Sequence, residues 1–203
     1  MEWLIALGLG IAAGTNAYIP LILLGSLARW TGLITLPEGW QWLESEWTIG
    51  ILAGLIALEM IAQRFPGVAT FSDIFQTVLR PTAAGIAVGA QGASVSTITD
   101  WEAFWSEGQW LPVAMAVGVA LAVHLAKVVV RATADTITAG MAGGVLAGID
   151  EGSSIAFSLT ALLLPLLIPL LLVAVIAGGW WLIRRKKRRA NATAPTVTPP
   201  TKD

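Results

Sequence analysis

Cysteine is missing from the 203 residues and histidine occurs once. The first absence excludes disulfides, thiolate metal sites and a cysteine nucleophile, and a lone histidine excludes a multi-histidine metal centre. Charge is scarce too, since only 12% of residues are Asp, Glu, Lys or Arg, about half the share in a soluble domain. HExxH, GxSxG and a phosphate-binding loop are all absent from the sequence, so no enzyme and no bound cofactor is expected. Met1-Glu2-Trp3 offers no basic n-region, and no cleavable signal peptide is expected.

What fills the chain instead is apolar: 56% of residues, with a mean hydropathy of +0.74. An integral membrane protein is expected. Hydrophobic runs cover Trp3 to Ala28, Ile49 to Ala62, Phe71 to Ala93, Leu111 to Ala126, Ala132 to Ile149 and Ile155 to Ile183. A helical span takes about 20 residues, so the first, third and sixth runs suffice alone and the fifth is the weakest. The fold class is all-α, a polytopic bundle of about six transmembrane or partly re-entrant helices, because lipid admits only helices and closed barrels and no barrel-like alternation is present.

Orientation follows from the segregation of charge. Thr31 to Trp47, Ser94 to Gln109 and Asp150 to Ser153 carry acids without a lysine or arginine, whereas Arg64, Lys127, Arg131 and Arg184 to Arg189 fall at the other ends of the runs. The positive-inside rule predicts six crossings of the cell's inner membrane with both termini cytoplasmic. Arg29 is the exception. Trp30, Trp40, Trp42, Trp47, Trp101, Trp105 and Trp110 are expected at the outer headgroups, and Trp3, Trp180 and Trp181 at the inner. A rival topology lets the fifth run, and with it the third, dip in and out as re-entrant hairpins. Residues 1–189 form the membrane domain and 190–203 a disordered cytoplasmic tail.

Small residues recur on the first, third and fifth runs: Gly10 and Gly14, Gly85 and Gly89, then Gly140, Gly144 and Gly148. That spacing lets helices pack closely, whereas Gly25, nearer the outer end, is expected to tolerate alanine. Ala12-Ala13-Gly14, Ala83-Ala84-Gly85 and Thr138-Ala139-Gly140 suggest parallel repeats. A competing register overlays Asp73, Gln76 and Arg80 on His124, Lys127 and Arg131 and suggests inverted ones.

Charge inside a span is costly, so the polar stripes are the candidate functional residues. His124, Lys127, Arg131 and Asp135 share one helical face; Asp73, Gln76 and Arg80 share another, and Glu59 with Gln63 a third. They are read either as salt bridges, Arg131 with Asp135 and Asp73 with Arg80, or as the lining of an inward-facing vestibule. In the second reading Glu59 and His124 carry protons and Arg80, Lys127 and Arg131 attract anions. Asn16, with Tyr18 and Pro20 close by, falls near mid-membrane and either bonds across helices or lines the same cavity. The leading function is a small permease or channel; the alternative is a non-transporting protein that organises lipids or a partner complex. Membrane lipids and further copies of the chain are the expected partners, with no nucleic acid and no metal.

The ordered series Gly8-Leu9-Gly10 through Asn16-Ala17-Tyr18-Ile19-Pro20-Leu21, Leu58-Glu59 through Phe65-Pro66-Gly67 with Asp73 and Thr77, Arg80-Pro81, and His124-Leu125-Ala126-Lys127 with Arg131 resembles an uncharacterised bacterial membrane family known as domain of unknown function 4126. The resemblance covers about Leu4 to Leu172. Ala62-Gln63-Arg64 stands where the family has Ala-Asp-Lys, and no Asn-Pro follows near Ala142, so no acidic role is carried to Gln63. The family implies a membrane location and no activity.

Overall fold

A computed structural model describes the backbone of residues 1–62, 66–91, 101–106, 108–138 and 143–192, all of it helix, turn or irregular chain. The α-helices are α1 (Glu2–Thr15), α2 (Tyr18–Thr31), α3 (Glu46–Ala62), α4 (Pro66–Gln91), α5 (Trp101–Ser106), α6 (Trp110–Thr138), α7 (Gly143–Leu163) and α8 (Ile168–Ala192). Short 3-10 turns cover Glu38–Glu44 and Pro165–Leu167. The chain is all-α among the described residues. Among the described residues one helical segment, Trp110–Ala134 within α6, is by itself long and apolar enough to cross a membrane, and Glu38–Glu44 with α3 is so only as a pair, bent by 59°.

The first hydrophobic run is not one span. It breaks at Asn16, whose backbone is extended (φ −146°, ψ 124°), and the reason lies four residues on. Pro20 has no N–H for the Asn16 carbonyl and its ring would strike that carbonyl in a continuous helix; in the first turn of a new helix it is harmless. Asn16 then serves as the cap, its Oδ1 accepting from the amides of Tyr18 (3.0 Å) and Ile19 (3.3 Å), while its own amide closes α1 on the Ala12 carbonyl at 2.9 Å.

The two halves run in opposite directions. Along α1, Gly8 lies against Ala161, Gly10 against Ala116 and Gly14 against Ala120 and Val123, so α1 is parallel to α6 and antiparallel to α7. Arg80 meets Gly14 and Thr15 and Gly85 faces Val113 and Val117, so α4 is antiparallel to both α1 and α6. After the turn α2 climbs back: Asn16 meets Glu59 near the end of α3, and Gly25 meets Leu43 and Ile49 near its start. The result is a helical hairpin with its tip at Asn16. Each arm of 14 residues is about 21 Å long, short of the roughly 30 Å hydrocarbon core.

α1 is the axis of the bundle, buried from Gly8 to Gly14 among α4, α6 and α7. Its glycines let backbone approach backbone. A Cβ on Gly10 would stand 2.8 Å from the Ala116 carbonyl oxygen, and one on Gly14 2.8 Å from that of Ala120. Gly85 has ordinary room, at 3.5 Å from Val117, and Gly89 sits under the Trp40 indole at 3.0 Å. Gly25 contradicts its expected tolerance, because a Cβ there would collide with the Leu43 carbonyl oxygen. Gly148 faces open space; Gly140 and the surroundings of Gly144 lie outside the described residues.

Three further expectations need correction. Asp150 to Ser153 is no outer loop: α6 continues to Thr138, α7 begins at Gly143, and Asp150 lies 2.6 Å from Lys127, which the charge pattern put on the opposite side. The glycine pairs do not sit on parallel helices, since α1 opposes α4 and α7. Finally, the hairpin carries Met1 away from the basic end. With Gly10 beside Ala116 on parallel helices, Trp3 falls level with Trp110, at the end that also holds Trp40, Trp42 and Trp105. At this end Arg29 is paired with Glu46 at 2.5 Å.

The segment Pro169–Asp203 is a separate unit. Its helix α8 extends to Ala192, three residues into the expected tail, and bears the Arg184 to Arg189 run.

Candidate functional site

The tip of the hairpin is where buried charge collects. A helix end leaves its last carbonyls without intrahelical donors and slightly negative, and α1 ends inside the bundle where water is scarce. Cations from two other helices occupy those carbonyls. Arg80 of α4 donates through Nη1 to Gly14 O and to Thr15 O (2.6 Å), and Lys127 of α6 donates through Nζ to Thr15 O at 3.0 Å. Ser154 of α7 adds its hydroxyl to the Ala12 carbonyl at 2.8 Å and to that of Asn16 at 3.4 Å.

Arg80 is fully buried, which a guanidinium tolerates only when its donors are met. Besides the two carbonyls, Nε and Nη2 donate to Gln76 Oε1, the first at 2.7 Å, and Nη2 reaches Glu59 Oε1 at 3.3 Å. Glu59, 6% exposed, also accepts from Gln76 Nε2 at 2.8 Å and from Asn16 Nδ2 at 3.3 Å. One carboxylate thus ties α3 to α4 and to the hairpin tip. It also lies near the amide end of α2, where the helix dipole favours negative charge.

A second ionic group lies one turn away. Asp150 of α7 is 2.6 Å from Lys127 and 3.7 Å from Arg131. His124, fully buried, shares a 3.1 Å hydrogen bond with Thr77 through Nε2; which partner donates depends on the ring tautomer.

Among the residues singled out from sequence, Asn16, Glu59, Arg80 and Lys127 therefore meet at one point, Arg131 joins through Asp150, and His124 packs beside them on Thr77. The ion pairs expected for Arg80 with Asp73 and for Arg131 with Asp135 involve acids whose side chains lie outside the described residues. The described partners are Glu59 and Asp150. Asp150 and Ser154 are not among the residues singled out from sequence, and Thr77 figures there only in the series that carries the family resemblance. The acid was hidden by its assignment to a loop, and a lone hydroxyl on an apolar helix carries no signal of its own. Pro20, four residues after Asn16, was the one available sign of the break.

Among the described residues no group of three or more His, Cys, Asp or Glu side chains is placed to hold a metal ion. No curated protein and no solved structure matches the chain. The sequence profile of a domain of unknown function, DUF4126, matches residues 3–185, which takes in the hairpin, Glu59, Arg80, Lys127 and Asp150 together, and the chain belongs to the DUF4126 family.

Proposed function

We propose that the chain is a multi-pass protein of the bacterial inner membrane acting as a small permease or channel, with the Asn16 turn as the occluded centre of its pathway. The observation that carries this reading is a chain reversal inside the bundle at which the last carbonyls of α1 accept from buried Arg80 and half-buried Lys127 while the Asn16 side chain donates to buried Glu59. Non-helical backbone at membrane depth is tolerated only inside protein or beside a hydrated cavity. Discontinuous helices in transporters place such ends at the substrate site. Large apolar side chains exposed on α3, α4 and α6, among them Ile51, Leu58, Val78 and Val129, supply a lipid-facing surface.

In this reading the tryptophan-bearing end faces outward and the Lys127 and Arg131 end faces the cytoplasm. The hairpin then enters and leaves from the outside, and α3, α4, α6 and α7 cross. Glu59 and His124 are the proton carriers, and Arg80 with Lys127 and Arg131 draws in an anion. Opening requires the carbonyls of α1 to exchange Arg80 for solute or water.

A second reading has one observation in its favour: Arg80 meets an acceptor at each guanidinium nitrogen, as a permanent fastener would. The protein then organises lipids or a partner without transport. Proteoliposomes holding the purified chain separate the two. The permease reading expects proton-coupled flux of small anions that Glu59→Gln abolishes while the protein still melts cooperatively. A parent protein that passes neither protons nor anions rejects it.

A further inference from the structure

A cavity of about 290 Å³ opens sideways between α2, α3 and α4. That is roughly twice the volume of about 150 Å³ that accommodates a benzene ring. Its mouth is apolar, because Leu58 and Phe75 line it and are themselves 61% and 63% exposed on the outer surface. The floor is polar. Glu59 and Gln76 are buried there with their side chains bonded to each other, and two hydroxyls flank them. Ser72 Oγ accepts from Gln76 Nε2 at 3.0 Å and keeps its own proton to donate. The Tyr18 hydroxyl makes no hydrogen bond among the described residues.

This gradient selects the occupant. A chain of methylenes suits the mouth and the exposed apolar faces beyond it, while the floor needs a group that both donates and accepts hydrogen bonds. A charged head is disfavoured, since Glu59 is already neutralised by Arg80 and an added charge would stay uncompensated where water is excluded. We propose that this cavity binds a single-chain amphiphile with an uncharged, hydroxylated head, of the monoacylglycerol type, drawn from the membrane. Its head sits on the Tyr18 and Ser72 hydroxyls and its chain leaves between Leu58 and Phe75. The proposal rests on the outer surface being lipid-facing and is independent of transport.

The test uses the full chain in detergent and a monoacylglycerol carrying a photoreactive diazirine in its acyl chain. Adducts should concentrate on residues 55–62 and 72–79 and be competed by unlabelled monoacylglycerol but not by a single-chain quaternary ammonium. Leu55→Trp, which fills the cavity, should cut labelling at least about tenfold at unchanged melting temperature. Tyr18→Phe, which removes one hydrogen bond, should weaken competition about threefold to tenfold. Labelling spread evenly over α3, α4 and α6, indifferent to competitor and to both substitutions, would mean annular lipid only and overturn the proposal. Recovery of the parent chain in the membrane fraction, scored separately, tests the membrane reading itself.

Discussion

Arg80 reaches from α4 to the last turn of α1 and donates to the carbonyl oxygen of Thr15 at 2.6 Å. The contact joins residues 65 positions apart and explains how a helix can stop inside an apolar bundle. The carbonyls that α1 leaves open are covered by a cation whose charge is in turn balanced by Glu59.

Breaking that pair from one side should be severe. Arg80→Gln takes the guanidinium away from Glu59 and from the Gly14 carbonyl, while the Thr15 carbonyl keeps Lys127; loss of one partner of a buried pair costs about 3–5 kcal/mol. The melting temperature in detergent should fall sharply. Glu59→Gln with Arg80→Gln should recover part of the loss, because neutral amides can bond to each other and to the carbonyls. A double variant no more stable than Arg80→Gln alone would show that the pair is not the coupling.

Asn16 caps α2 and donates to Glu59 at once. Asn16→Ala should cost about 1 kcal/mol for the cap and more for the lost amide at Glu59. Asn16→Asp keeps the cap acceptor but sets a carboxylate beside Glu59, so at neutral pH it should be the worse of the two. Thermal melts of both variants check the order.

The glycines divide by what a methyl would meet. Gly10→Ala, Gly14→Ala and Gly25→Ala each push against backbone and should cost about 1–3 kcal/mol. Gly85→Ala and Gly118→Ala, with ordinary contact and open space respectively, should leave melting unchanged or slightly raised, since alanine favours helix. Equal loss at Gly14 and Gly118 would contradict the packing described.

Lys127 links α6, α7 and the end of α1. Asp150→Asn removes its carboxylate partner at 2.6 Å, so stability should drop, and Lys127→Met in the same chain should restore part of it. A melting temperature for Asp150→Asn equal to the parent's would place Asp150 outside the network.

Much of this was legible from residue types. Helical class follows from long apolar runs, and the involvement of Glu59, Arg80, His124 and Lys127 follows from the penalty on charge in a span. The partners were not legible, because periodicity places residues on a face but does not say which helix lies opposite. Asp150 shows the failure clearly. Counting it as a loop acid satisfied the charge rule, yet the same acid inside α7 satisfies Lys127. Gly25 fails for a related reason: its neighbour Leu43 belongs to a 3-10 turn that apolar periodicity does not register. The reversal at Asn16 was masked by an unbroken apolar run on both sides, which hydropathy reads as one span.

That reversal is the claim on which the rest depends, and side-specific labelling tests it most directly. The chain has no cysteine, so Glu2→Cys and Ser45→Cys can be introduced one at a time and treated in intact cells or spheroplasts with a membrane-impermeant maleimide. A hairpin that turns back at Asn16 predicts that both positions react from the same side of the membrane. Reaction of Glu2→Cys and Ser45→Cys from opposite sides would mean a single continuous first span and contradict the account.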